Sequence, residues 1–140
     1  MSDAVMIHTD GAARGNPGAA AIAYIIEGLP DGPIEFAQTI GKATNNQAEY
    51  QALLEALKKL ATLQPTSLMV KCLADSELMV KQLNGEYRVK NAELRPHFAA
   101  IQQLVSSLKQ GGNTIIFSAV RRIHNQRADQ LCNQALDNQR

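Results

Sequence analysis

The run IEFAQTIGKATNNQAEYQALLEALKKLATLQP, residues Ile34 to Pro65, changes its period halfway. From Ile34 to Ile40 apolar and polar residues alternate, the pattern of a half-buried strand. From Asn46 to Leu63 the apolar positions are Leu53, Leu54, Leu57, Leu60 and Ala61, the stripe of an amphipathic helix, which Pro65 stops. Working outward toward the N-terminus, Gly28 to Pro33 is dense in turn residues, and Ala20 to Ile26 is a second apolar run. Before it stands the Gly/Asn/Pro-rich segment Gly11 to Gly18, and before that a β-rich run, Ala4 to Thr9, expected to end at Asp10. Three strands joined by short turns read as an antiparallel meander. Toward the C-terminus come a strand over Ser67–Ala74, a short helix over Ser76–Leu83 closed near Gly85, and a longer helix from about Glu93 to Lys109. Pro96 leaves the start of that helix open by several residues. A fifth strand over Thr114–Val120 and a last helix from about Gln126 to Leu136 complete the order βββαβααβα. This predicts an α/β fold, a five-stranded mixed sheet flanked by helices.

Composition agrees with one domain spanning residues 1–140. Apolar residues make up 45% of the chain and charged residues 19%, the balance of a globular protein rather than a disordered one. The longest apolar run, Ala19 to Ile26, is strand-length, so no membrane span is expected, and Met1-Ser2-Asp3-Ala4 shows no export signal. A cytoplasmic location follows as the expectation. Cys72 and Cys132 share no ligand spacing with the histidines and are read as reduced, buried, small apolar residues. A net charge of +1 neither demands nor excludes a nucleic-acid partner.

Four carboxylates stand where a bland sequence would not put them. Asp10 and Asp75 each follow an apolar strand directly, and the crevice beyond strand ends is the usual ligand site of α/β sheets. Glu49 shares a stripe about 80° wide with Leu53, Leu57 and Leu60 on a 3.6-residue wheel, and so faces the sheet. Asp129 shares a face with Cys132 and Leu136. Each has a local alternative: Asp10 can open a turn, Asp75 can cap a helix, and Glu49 and Asp129 can complement helix dipoles. Together they point to one site. Clustered carboxylates repel and are costly to bury, and a hard divalent cation such as Mg2+ or Mn2+ removes that penalty. Such a site can hold two metals for phosphodiester cleavage.

Four strings then resemble a known family: TDGAARGNPG (Thr9–Gly18), TNNQAE (Thr44–Glu49), ADS (Ala74–Ser76) and HNQRAD (His124–Asp129) are similar, in order and placement, to the successive motifs of type 1 ribonuclease H. The resemblance implies a central strand carrying Asp10, and a catalytic and metal site of Asp10, Glu49, Asp75 and Asp129. It implies two Mg2+ ions per site, with Mn2+ as a substitute, and hydrolysis of the RNA strand of an RNA/DNA hybrid to 5′-phosphate and 3′-hydroxyl ends. It also implies that Gly11, Ala12, Asn45, Asn46 and Glu49 detect the ribose strand, through the 2′-hydroxyl that only RNA offers. Thr44 and Asn16 match positions that hold a phosphate of the DNA strand. A turn role for Asn16, and a helix-cap role for Asn45 or Asn46, stand beside these assignments. A monomer without an obligate protein partner is expected on the same ground.

Two departures from the family pattern matter. Asn84 to Asn91 is short and carries only Arg88 and Lys90 as cations, so the basic helical protrusion of many members is expected to be missing. Arg88, with Lys90 and Tyr87, remains a candidate contact to the DNA backbone beside the alternative of a solvated turn, and weaker hybrid binding than in protrusion-bearing members is expected. The loop before Asp129 is tight, and His124, or one of Arg121 and Arg122, is the candidate for the role of the mobile histidine of longer members; His8 and His97 read as structural. The competing functional classes are another metal nuclease on this fold and a nucleic-acid-binding module that has lost catalysis.

Overall fold

Alternation and turn chemistry produce the meander in the computed structural model, which describes residues 4–138. Strands β1 (Ala4–Gly15), β2 (Gly18–Glu27) and β3 (Ile34–Ala43) pair antiparallel in sequence. One expectation needs correction. β1 does not end at Asp10; Gly11 to Gly15 stay in the ladder opposite Ile22 to Gly18, and the turn shrinks to Asn16 and Pro17. Continuous pairing with an Ala- and Ile-rich partner outweighs the turn preference of the glycines in this segment.

The remaining elements are α1 (Asn45–Thr62), β4 (Met69–Ala74), α2 (Glu77–Leu83), α3 (Arg95–Gln110), β5 (Thr114–Ala119), a 3₁₀ turn (Arg122–Asn125) and α4 (Gln126–Asp137). The order of strands and α-helices is βββαβααβα, as expected. In space the strands lie β3-β2-β1-β4-β5, with β4 parallel to both β1 and β5, so the sheet is mixed and β1 is its middle strand. Pro96 falls in the first turn of α3, where its missing N–H costs nothing, which settles where that helix starts. The cap of α1 is Thr44, not Asn45 or Asn46. Its hydroxyl accepts from Gln47 N at 3.1 Å while Gln47 Oε1 accepts from Thr44 N at 2.8 Å, a reciprocal capping box.

On one face of the sheet the apolar stripe of α1 packs with α2 and α3 around Val5, Ile7, Ile26, Leu53, Leu57, Leu60, Val70 and Ile101. On the other face α4 lies over β1, β2 and β3, where Ala12, Ala21 and Ala23 meet Cys132 and Leu136. A bidentate pair, Arg127 to Glu35 with both contacts at 2.9 Å, ties α4 to the edge strand β3. Both cysteines are free and buried. No described helix is long and apolar enough to cross a membrane.

Candidate metal centre and nucleic-acid interface

Pairing between β1 and β4 stops at His8↔Leu73, while β1 runs on for seven more residues beside β2 alone. This opens a gap in the middle of the sheet, and the acidic side chains converge on it. Glu49 reaches it because α1 lies directly on β1 at Gly11. A Cβ on Gly11 would stand 2.2 Å from the Ala48 carbonyl carbon and 2.4 Å from Glu49 N, so only glycine permits this approach. The Gly11 N–H donates to Glu49 Oε1 at 2.7 Å and fixes one oxygen of that carboxylate. Asp75 arrives immediately after β4, half-buried, with Ser76 capping α2 behind it.

Asp10, Glu49 and Asp75 each bring a carboxylate oxygen within 4.8 Å of the other two. Asp10 is 5% exposed and Glu49 8%. Burial first, then the charges of Asp75 and Asp129, push the Asp10 carboxyl up to about 7; Arg122 and the Gly11 N–H pull the other way. Burial, followed by Asp10 and Asp75, holds Glu49 well above the usual carboxylate range. Asp10 Oδ2 is buried without a hydrogen-bond partner. An all-oxygen donor set, mutually repelling and holding an unsatisfied lone pair, fits a hard divalent cation. Asp129 stands outside the trio. It is half-buried in the first turn of α4, comes from the other face of the sheet, and acts on Asp10 through its charge.

The expected substrate-contact residues form a rim beside the gap. Asn45 Oδ1 accepts from Ala13 N at 2.9 Å, and Asn16 Oδ1 accepts from Asn45 N at 3.0 Å, which locks the β1–β2 turn to the start of α1. Both amide oxygens are thus used inside the protein, and the two NH2 groups have no partner among the described residues. Asn46 is exposed, Thr44 and Ala12 are half-buried, and Gly11 is buried with its N–H committed to Glu49. Gln47 Nε2 donates to Glu93 Oε2 at 2.8 Å, joining the capping box to the connection between α2 and α3. That connection, residues 84–94, holds no helix, and Arg88 stands exposed in it.

The loop before α4 divides its cations. His124 lines a depression with His8, Glu27 and Arg127, separate from the one in which Arg121 and Arg122 sit beside Asp75 and Glu77. Arg122 Nε lies 3.9 Å from Asp75 Oδ2. Sequence alone offers no signal to choose among His124, Arg121 and Arg122, because the choice depends on how the 3₁₀ turn Arg122–Asn125 and the residue before it rotate these side chains. Asn125 carries no sequence signal beyond its place in the string HNQRAD. Its buried Nδ2 donates to Thr9 O at 2.8 Å.

The family described as RNase H matches residues 2–137. Ribonuclease HI of Halobacterium salinarum is 38% identical over 134 residues, covering 95% of this chain and 64% of that protein. The bifunctional protein Rv2228c of Mycobacterium tuberculosis is 36% identical over 135 residues, with 95% and 35% covered, so the chain spans only part of the length of these relatives. The crystal structure of RNase H1 from H. salinarum superposes with a TM-score of 0.85 at 37% identity, covering 97% of this chain and 99% of that one. LC11-RNase H1 in complex with an RNA/DNA hybrid gives 0.87 at 38% identity, with 95% and 96% covered.

Proposed function

The chain belongs to the ribonuclease H family, type 1, and we propose that residues 1–140 form one catalytic domain that cuts the RNA strand of RNA/DNA hybrids, leaving 5′-phosphate and 3′-hydroxyl ends. The observation that carries this reading is the trio of carboxylates from β1, α1 and the end of β4, within 4.8 Å of one another at a break in the sheet. The H. salinarum ribonuclease and the hybrid-bound LC11 structure support the choice of substrate.

Asp10, Glu49, Asp75 and Asp129 would hold two divalent ions, Mg2+ with Mn2+ as a substitute, which when bound supply an activated water and neutralise charge at the departing 3′ oxygen. Glu49 is presented with one oxygen anchored by the Gly11 N–H. Asp10 contributes its unpartnered Oδ2. Asn16 and Asn45 offer outward amide donors, because their oxygens are engaged within the protein. The Thr44 hydroxyl accepts from Gln47 N, which leaves its own proton for a phosphate of the DNA strand. Asn46 and the backbone at Gly11 and Ala12 line the side proposed for the ribose strand, and Arg88 the DNA backbone. Arg122, rather than His124, balances charge beside Asp75. A cytoplasmic monomer with no obligate partner completes the proposal.

The test is cleavage of an end-labelled RNA/DNA hybrid with Mg2+ or Mn2+, beside single-stranded RNA, an RNA/RNA duplex and an Asp10→Asn control. Metal-dependent cutting of the hybrid RNA, lost in the control, is the expected result. A folded protein that binds the hybrid and cuts with neither metal overturns the assignment in favour of a binding module.

A further inference from the structure

We propose that Asn125 is a positioning residue of the metal centre: its buried amide pins the start of α4 to β1 beside Asp10, and so sets Asp129 against Asp10. The inference rests on the reading of Asp129 as a metal ligand.

Successive residues of a strand direct their backbone N–H and C=O groups alternately to the two neighbouring strands. Gly11 gives its N–H to Glu49, away from β2, so the residues of that parity in β1, Thr9 included, face the side where β4 lies. β4 pairs only as far as His8↔Leu73, which leaves the next carbonyl on that side, Thr9 O, without a strand partner. Thr9 is 1% exposed, and a carbonyl stranded there would be costly. Asn125, 2% exposed, fills the vacancy by donating Nδ2 to Thr9 O across 116 residues of sequence. At the break in the sheet, two side chains thus take over from the missing strand, Glu49 on the Gly11 N–H and Asn125 on the Thr9 carbonyl.

Asn125 does this at the expense of its ordinary role. It is the N-cap residue of α4, a position where asparagine usually accepts from the first turn, yet it makes no side-chain cap bond. Its Oδ1 is buried without a partner. Asp129 stands four residues on, one helical turn away and on the same face. Among the described residues, the Asn125–Thr9 bond is the only side-chain hydrogen bond joining residues 120–129 to β1. The other anchors of α4 are Arg127 to Glu35 on β3, Cys132 Sγ donating to Asp10 O at 3.6 Å and to Ala21 O at 3.2 Å just beyond Asp129, and Arg14 to Asp137 at the far end of the helix. Without Asn125 the start of α4 keeps no side-chain hydrogen bond to β1, and Asp129, on the turn before Cys132, is free to retreat.

Calorimetric titration of Mn2+ into the whole chain tests this with Asn125→Ala, Asp129→Asn and the double variant. Asn125→Ala should weaken metal binding by about tenfold, with hybrid cleavage recovering at raised Mn2+. In the Asp129→Asn background the same substitution should change nothing further. Normal Mn2+ binding by Asn125→Ala while Asp129→Asn is impaired overturns the proposal alone, as does an effect of full size in the double variant. Normal binding by Asp129→Asn overturns both the proposal and the reading it rests on. Asn125→Leu, which keeps the volume filled, takes the place of the alanine variant if that one fails to melt cooperatively.

Discussion

At the scale of single residues, the centre is a store of unfavourable electrostatics. The Asp10 carboxyl is lifted from 3.8 to about 7 by burial and by Asp75 and Asp129. A carboxyl whose folded value lies above its unfolded one binds more protons when folded, so its contribution to stability is full below pH 3.8 and is lost as pH rises through about 7. In EDTA, therefore, Asp10→Asn should match the wild type in urea unfolding near pH 4 and exceed it by roughly 2–4 kcal/mol at pH 8. Saturating Mg2+ should stabilise the wild type and reverse the order. Asn45→Asp is isosteric and keeps the bond from Ala13 N, but it replaces the outward donor with a charged acceptor. KM for the hybrid is expected to rise about tenfold or more, with kcat less affected, in steady-state cleavage. His124→Ala should leave turnover unchanged, because His124 lines the depression around His8. At this scale the sequence was informative wherever an acid broke an apolar pattern, as Glu49 does. It was silent wherever a partner lies far along the chain, as with Arg122 and Asp75.

Elements matter here through where they stop. β4 ends while β1 continues, and the site occupies the difference. The β-rich run Ala4 to Thr9 located β1 but not its far end, since Gly11 to Gly15 remain strand through pairing that a local reading cannot see. Gly11 illustrates the cost of that arrangement. A methyl group there would overlap the backbone of α1 at 2.2–2.4 Å, and backbone cannot move aside as a side chain can. Gly11→Ala is expected to destabilise the protein by about 3 kcal/mol or more. It should also raise the metal concentration needed for cleavage, because Glu49 rides on the segment that must shift. Chemical denaturation and Mg2+ titration of the rate check the two halves separately. The start of α1 belongs to the same lesson. The cap role expected of Asn45 or Asn46 falls to Thr44, which the reciprocal bonds with Gln47 select, leaving the two asparagines for other work.

At the scale of the whole molecule, acids, rim and cations gather on one end of the sheet, while the connection from α2 to α3 carries no helix to extend a grip on nucleic acid. Arg88→Ala should weaken hybrid binding two- to threefold irrespective of sequence, and lower the slope of log K against log salt by about one, in filter-binding or anisotropy titrations. An unchanged slope would remove Arg88 from the interface. The sequence by itself determined the order of strands and helices, the mixed sheet and the four acids, because hydrophobic period, turn chemistry and an acid on an apolar stripe are local properties of a chain. Only the tertiary structure decided that β1 outruns β4, that Glu49 is held by Gly11 and Asn125 by Thr9, that Arg122 faces Asp75, and that Asp129 approaches from the opposite face of the sheet. Each of these depends on which strand end, helix turn or carbonyl is left without a neighbour once the layers have packed, and that is fixed by contacts between residues far apart in the chain.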